Sequence, residues 1–426
     1  MQTQSTDTHV VIDLREPTGQ AQRAPLAPKS RVQLFTAVFI PLALIYLATA
    51  TWNGSYNTDT LANALVASEI ATDGDVFLED YEDKTSRDHN RVIAWVVDSV
   101  SSATSQYPPG AALLAVPFYA VWPDNPTTDT RTVAGQEVDF LVPPIPPAAI
   151  ATALAVAAAM AAMALALTEI LTRRDAVLTA YALGLATGVW SIAADKLWLH
   201  TGAILYLAVG MWLASSRPLG SGLAYGMAVM TRPHTLVIGV ATALGRAITD
   251  RSSRVLLRMG AGIGIGTVAL LVFNYIVFGS LSVRGGYRLY LGAFVHRDNG
   301  DLLANVWGAF FDLGKGIFIF SPFLLMLLPG LRTAWAKAPA WARGSAIGGV
   351  VYFALQLYTN RFSGGSGFWG YRYPLEMLVA LTPLLALAYF EWVKPRPVAN
   401  RIFVALVAAC VGLHAAGAIR CSLYMC

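Results

Sequence analysis

Asp59 is the first residue in the chain whose position suggests chemistry. It stands in Ser55-Tyr56-Asn57-Thr58-Asp59-Thr60, a few residues after the first long apolar run. A carboxylate at the mouth of a membrane span lies between lipid and water, where poor solvation suits it to accept a proton. Asp59 also reads as the start signal of a helix over Leu61 to Ile70, because a short acidic side chain before an apolar helical run caps free N–H groups. Basic and imidazole groups mark the ends of other apolar runs: Lys196 with His200, Arg232 with His234, and Lys315, while Arg372 and Glu376 open a further run. Ionisable groups at membrane depth are costly unless they pair or line a wet cavity. Gathered at one level, these residues would cradle an anionic phosphate. Taken singly, each has a plainer reading. Lys196 or Arg372 could snorkel to headgroups, and Arg232 before Pro233 could simply end a helix. Arg372 and Glu376, four apart, could form a helix pair worth about 0.2–0.5 kcal/mol.

Other motifs carry less. Asp73-Gly74-Asp75 has the D-x-D spacing that holds a metal in some sugar-nucleotide enzymes, but paired carboxylates around a glycine are frequent in loops. His89 and His296 have no neighbour at metal-ligand spacing, and no G-x-x-x-x-G-K-[ST] loop, G-x-S-x-G elbow or C-x-x-C pair occurs. The expectation is therefore a site without a resident cofactor, a divalent ion being the lesser alternative.

The elements that must position these groups are membrane helices. Of 426 residues, 55% are hydrophobic and 13% charged, where a soluble domain carries about 25% charge. The net charge of +4 comes from basic residues scattered between apolar runs, which excludes a nucleic-acid-binding stripe. The polar first residues lack the n-region, h-region and cleavage site of a signal peptide, so the first span is predicted to remain as an anchor. Three cysteines give no disulfide framework. Whether Cys421 and Cys426 pair is open, with free thiols as the expectation.

About eleven runs approach the roughly 20 apolar residues that cross a bilayer. They are Val32 to Thr51, Pro143 to Thr168, Asp175 to Ala194, Leu197 to Ala214, Leu219 to Thr231, Thr235 to Ile248, Leu257 to Phe278, Gly316 to Leu331, Gly344 to Tyr358, Pro374 to Trp392 and Ile402 to Ile419. The fifth and sixth are short and read as two thin spans or one re-entrant pair. With the N-terminus inside and the C-terminus outside, the inner turns collect Arg173, Arg174, Arg217, Arg246, Arg251, Arg254, Arg258, Lys337, Arg343, Lys394, Arg396 and Arg401, as the positive-inside rule requires. The predicted architecture is an all-α, polytopic transmembrane bundle. Residues 1–31 form a disordered cytoplasmic tail, 32–426 the membrane domain, and 52–140 a long first extracytoplasmic loop. In that loop Tyr107-Pro108-Pro109-Gly110 leads into Ala111 to Trp122, an apolar run too short to span and therefore interfacial or re-entrant. The irregular sequence lies on the outer side, which is where the working surface is expected.

Several motifs follow one another along nearly the whole chain: Asp59-Thr60, Gln106-Tyr107-Pro108-Pro109-Gly110, Trp198-Leu199-His200 and Met230-Thr231-Arg232-Pro233. After them come Phe273-Asn274-Tyr275, Gly314-Lys315-Gly316-Ile317-Phe318 with Ser321-Pro322, and Gly370-Tyr371-Arg372-Tyr373-Pro374. In this order they resemble the GT-C class of membrane glycosyltransferases, specifically the bacterial branch of dolichyl-phosphate-mannose-protein mannosyltransferases and aminoarabinose transferases. The resemblance implies a bundle with an outward cavity under the first loop and a polyprenyl-phosphate-linked sugar donor. The acceptor would be a cell-envelope glycan, lipid or protein, and membrane lipids would surround the protein. Asp59 would be the base, while Arg232, Lys315 and Arg372, with Tyr107, would hold the donor phosphate. His200, Lys196, Asp195, His234 and Glu376 would line the substrate site. Many relatives place a second acid beside the first-loop aspartate; here the neighbours are Thr58 and Thr60, so Asp59 acts alone or with Asp195 or Glu376. The competing class is a secondary transporter or lipid flippase, for which paired repeats with helices broken near the midplane are expected and not found. A scaffold for an envelope complex would need no cleft at all.

Overall fold

The computed structural model describes residues 27–52, 57–79, 95–133, 136–289 and 299–424. Helices dominate. The eleven apolar runs fall on α1 (Pro28–Thr49), α4 (Ile145–Leu167), α5 (Arg173–Leu185), α6 (Leu199–Leu213), α7 (Pro218–Thr231), α8 (Leu236–Thr249), α9 (Ser253–Phe278), the short pieces α11 (Ile317–Phe320) and α12 (Leu331–Lys337), α13 (Ala340–Thr359), α14 (Leu375–Ala388) and α15 (Pro397–Leu423). Five helical stretches are long and apolar enough to cross a membrane by length and composition: α1, α4, α9, α14 with its π-helical extension to Val393, and α15. Burial sorts these five. The alanine-rich α4 is 83% buried over its most apolar window, against 28%, 33% and 22% for α1, α9 and α15, so α4 is the central post and the other three form an outer ring.

Small residues let the helices approach. Gly222 and Gly226 of α7 face Gly262 and Gly266 of α9 so closely that a Cβ on any of the four would clash with the opposite backbone. This is the small-xxx-small packing by which helices associate in lipid, where burial of apolar surface gives no net drive. The run Gly316 to Leu331 is a broken span, with α11 passing into a 3₁₀ turn over Pro322–Gly330 before α12. Pro322 and Pro329 each remove a backbone donor, which favours the tighter turn.

The first loop departs from the expected interfacial helices. α2 (Thr58–Thr72) is buried around its circumference from Thr60 to Glu69, so it is a core element rather than a surface one. The predicted short helix is present as α3 (Ala112–Tyr119), half-buried against α2. Two antiparallel hairpins were not legible in the sequence. In one, β1 (Val96–Asp98) pairs with β2 (Ala103–Ser105); in the other, β3 (Thr127–Val133) pairs with β4 (Gln136–Val142) in the register Thr127↔Val142. The segment between α9 and α11 contains a further helix, α10 (Asn299–Phe311). Cys421 is disulfide-bonded and Cys410 is free, which corrects the expectation of free thiols at the C-terminal end; the other half of the bond lies outside the described residues.

Candidate active site

Asp59 sits in the first turn of α2. The cap is Asn57, whose side-chain oxygen accepts from the Asp59 N–H at 2.9 Å while its amide nitrogen donates to the Ser366 carbonyl at 2.8 Å. One side chain therefore fixes Asp59 against a glycine-rich loop from the far end of the sequence. In that loop Gly364, Gly365, Gly367 and Gly370 all have positive φ, a conformation that other residues adopt only under strain. At Gly367 the approach is close as well, since a Cβ would meet the Asn57 amide at 2.5 Å.

The loop delivers Phe368, Arg372 and Tyr373. Arg372 Nη1 bonds the Asp59 carboxylate at 2.5 Å, and the two side chains are only 11% and 13% exposed. The guanidinium is held over three rings, 5.0 Å from the centroid of Trp198, 5.1 Å from Tyr373 and 5.2 Å from Phe368. Lys315 reaches the same place, donating from Nζ to the Phe368 carbonyl at 3.0 Å and lying 3.5 Å from the centre of the Phe368 ring. Burial, and then the neighbouring Arg372 charge, lower the Lys315 pKa to about 8. For Arg372, burial opposes the charge, yet Asp59 outweighs it with help from Tyr373 and Tyr107, and the pKa rises.

A second cluster lies beside the first. Because Pro233 disfavours helical backbone at the residue before it, Arg232 is extended (φ −143°, ψ 105°) and α7 stops there. Its side chain turns inward to a wholly buried network. Nη1 is 3.2 Å from Glu376 Oε1, Nη2 is 3.2 Å from Gln356 Oε1, and His200 Nδ1 is 2.8 Å from the same Glu376 oxygen. A carboxylate oxygen only accepts, so the Nδ1–Glu376 bond calls for a proton on Nδ1, while Arg232 Nη1 lies 2.8 Å from Nδ1 and 2.9 Å from Nε2. Tyr373 links the clusters, its ring lying 5.9 Å from the Arg232 guanidinium and 6.4 Å from the His200 ring. The N-termini of α6 and α14 and the C-terminus of α7 thus converge, so the ionisable groups collect at one end of the bundle.

Tyr107 packs at its edge, 5.7 Å ring to ring from Tyr287 and 6.4 Å from Trp95. Burial, with Asp59 nearby, raises its pKa and keeps it a phenol donor. The turn that carries it is seated on the end of α7, where the Gly110 N–H donates to the Met230 carbonyl at 3.0 Å. His234 is half-buried in the turn between α7 and α8. There burial and then Arg232 lower its pKa to about 4, leaving it neutral at ordinary pH. Asp195 and Lys196 form a pair of their own at 3.5 Å, and Asp195 accepts from the Thr51 hydroxyl at 2.7 Å. They line a small cavity with Thr60, beside Asp59, and brace the end of α1.

Sequence reasoning passed over Asn57, Trp198, Gln356, Phe368 and Tyr373 as members of the site. Gln356 had a visible signal, an uncharged polar group in the otherwise apolar stretch of α13. The Asp73 and Asp75 carboxylates are occupied by local turns, accepting from the Thr72 hydroxyl and the Phe77 N–H. Among the described residues no group of three or more His, Cys, Asp or Glu could hold a metal ion. His89 and His296 lie outside the described residues.

No protein-family model and no curated protein matches the chain. Solved structures do. ArnT from Cupriavidus metallidurans bound to undecaprenyl phosphate is 18% identical, with a TM-score of 0.50 over 90% of this chain and 64% of that one. Its apo form gives 17% and 0.51 over the same shares. The oligosaccharyltransferase of Archaeoglobus fulgidus, in complex with zinc and sulfate, is 14% identical, with a TM-score of 0.52 over 91% of this chain and 53% of that one. The chain thus spans just under two thirds of the ArnT chains and about half of the oligosaccharyltransferase. Its fold is that of the GT-C membrane glycosyltransferases.

Proposed function

We propose that the protein transfers a single sugar, with inversion, from a polyprenyl-phosphate carrier to an acceptor hydroxyl on the extracytoplasmic side of the membrane. The observation that carries this reading is one carboxylate, Asp59, set beside two cations, Arg372 and Lys315, around the Phe368 ring. A glycosyl phosphate needs its nucleophile deprotonated and its leaving group neutralised. Asp59 takes the hydroxyl proton as the acceptor oxygen bonds to the anomeric carbon. The bond from that carbon to the phosphate oxygen breaks, and Arg372 and Lys315 stabilise the departing phosphate. Tyr107, which keeps its proton, offers the phosphate a phenol hydrogen bond at the edge of the site. The buried network around Glu376 holds Arg232 as a fixed positive charge behind Tyr373.

Two further observations support the reading. The charges sit at helix ends rather than at a midplane between related halves, where a transporter would put them. The disulfide at Cys421 suits an oxidising compartment at that end of α15, in keeping with an outward-facing C-terminus. Purified Asp59→Asn protein, given donor and acceptor, should lose transfer by about 10²–10⁴-fold while remaining folded by circular dichroism; wild-type rates in that variant would sink the assignment. Accessibility labelling at positions 59 and 315 should mark both from outside.

A further inference from the structure

We propose that Arg372 is a shared partner which passes from Asp59 to the donor phosphate, so that the base is released only after the donor has bound. This rests on the proposed transferase function and adds a compulsory order to it. In the donor-free state one oxygen of the Asp59 carboxylate, Oδ2, accepts a charge-assisted bond from the guanidinium, so Arg372 and an acceptor hydroxyl compete for the same carboxylate. The arginine, by contrast, is only partly used. Nη1 is on Asp59, Nη2 is a long 3.4 Å from the Tyr373 hydroxyl, and Nε is buried with no partner among the described residues. A guanidinium binds phosphate through two parallel N–H groups, and Arg372 has this capacity in reserve.

Its surroundings suit an exchange. The three rings of Trp198, Phe368 and Tyr373 hold the guanidinium through cation–π contact, which depends on the ring face rather than on one fixed hydrogen-bond direction. The cation can therefore turn from carboxylate to phosphate without leaving its cage. Lys315 lies on the same Phe368 ring, so a second cation stands beside Arg372, with Asp312 as a further carboxylate near the lysine. Arg232 provides the contrast: both of its terminal nitrogens are engaged by Glu376, His200 and Gln356, so it has no free fork to offer.

Competition for one arginine is measurable as coupling. With undecaprenyl phosphate titrated onto the purified full chain in nanodiscs, Asp59→Asn should tighten binding by about tenfold, because the rival carboxylate is gone. In an Arg372→Gln background the same Asp59→Asn change should alter affinity by less than about twofold. Tightening of equal size in both backgrounds would mean simple charge repulsion and would overturn the exchange, as would no tightening in either. If Arg372→Gln fails to fold, Arg372→Lys closes the cycle, since lysine keeps the charge but loses the fork, and the coupling should shrink rather than vanish. Failure of the wild type to bind undecaprenyl phosphate would defeat the donor assignment and the exchange together. Binding without coupling would defeat the exchange alone.

Discussion

The two charged clusters use nearly the same residue types and differ in how completely their arginines are satisfied. Around Arg232, Glu376 has no exposed surface and each terminal nitrogen of the arginine has an acceptor. The network is set by four helices, α6, α7, α13 and α14, although Glu376 Oε2 is buried with no partner among the described residues. Around Arg372, the partners come from a helix cap and a glycine-rich loop, both side chains keep some exposure, and one buried N–H has no acceptor. A buried guanidinium whose two terminal nitrogens both have acceptors is held in place, whereas one with spare bonding capacity is able to receive a ligand. The first cluster is thus the frame and the second the working part.

That contrast can be broken experimentally. Glu376→Ala should cause the largest loss of stability, about 3–5 kcal/mol, because it strands the Arg232 charge in a dry interior; thermal unfolding in detergent would measure it, and an unchanged midpoint would show that the network is not a frame. Lys315→Ala should leave that midpoint within a degree or two and instead lower kcat/KM for transfer by about 10–100-fold, the loss of one charge-assisted bond to the leaving phosphate. Smaller and more specific is a pH effect. Lys315 is a cation below its depressed pKa of about 8 and loses that charge as pH rises through it, so kcat/KM should fall by about tenfold per pH unit at most above pH 8. Lys315→Arg should remove this falling limb, and a limb that persists in that variant would assign the titration to another group.

Much of the frame was legible because lipid imposes strict rules. A run of apolar residues in a bilayer has to be helical, and Pro233 marked the end of α7 at Arg232. The short apolar run of α3 was legible in the same way. What escaped were pairings that depend on tertiary structure. Nothing near Asp59 announces Arg372, 313 residues away, as its partner. The role of Asn57 depends on a loop carbonyl at Ser366. The β1–β2 hairpin has only three residues on each side, and β3–β4, with seven on each side, is too mixed in polarity to give a period-two signal. Asp195, weighed as a second acid for Asp59, is instead tied to Lys196 and Thr51 by neighbours that no spacing rule reveals.

The Asn57 side chain acts as a caliper. With one end it sets where α2 begins and with the other it sets where the loop stops, so the separation between proton acceptor and guanidinium is determined by the length of a single amide. A change at this one residue would therefore uncouple the start of α2 from the glycine-rich loop.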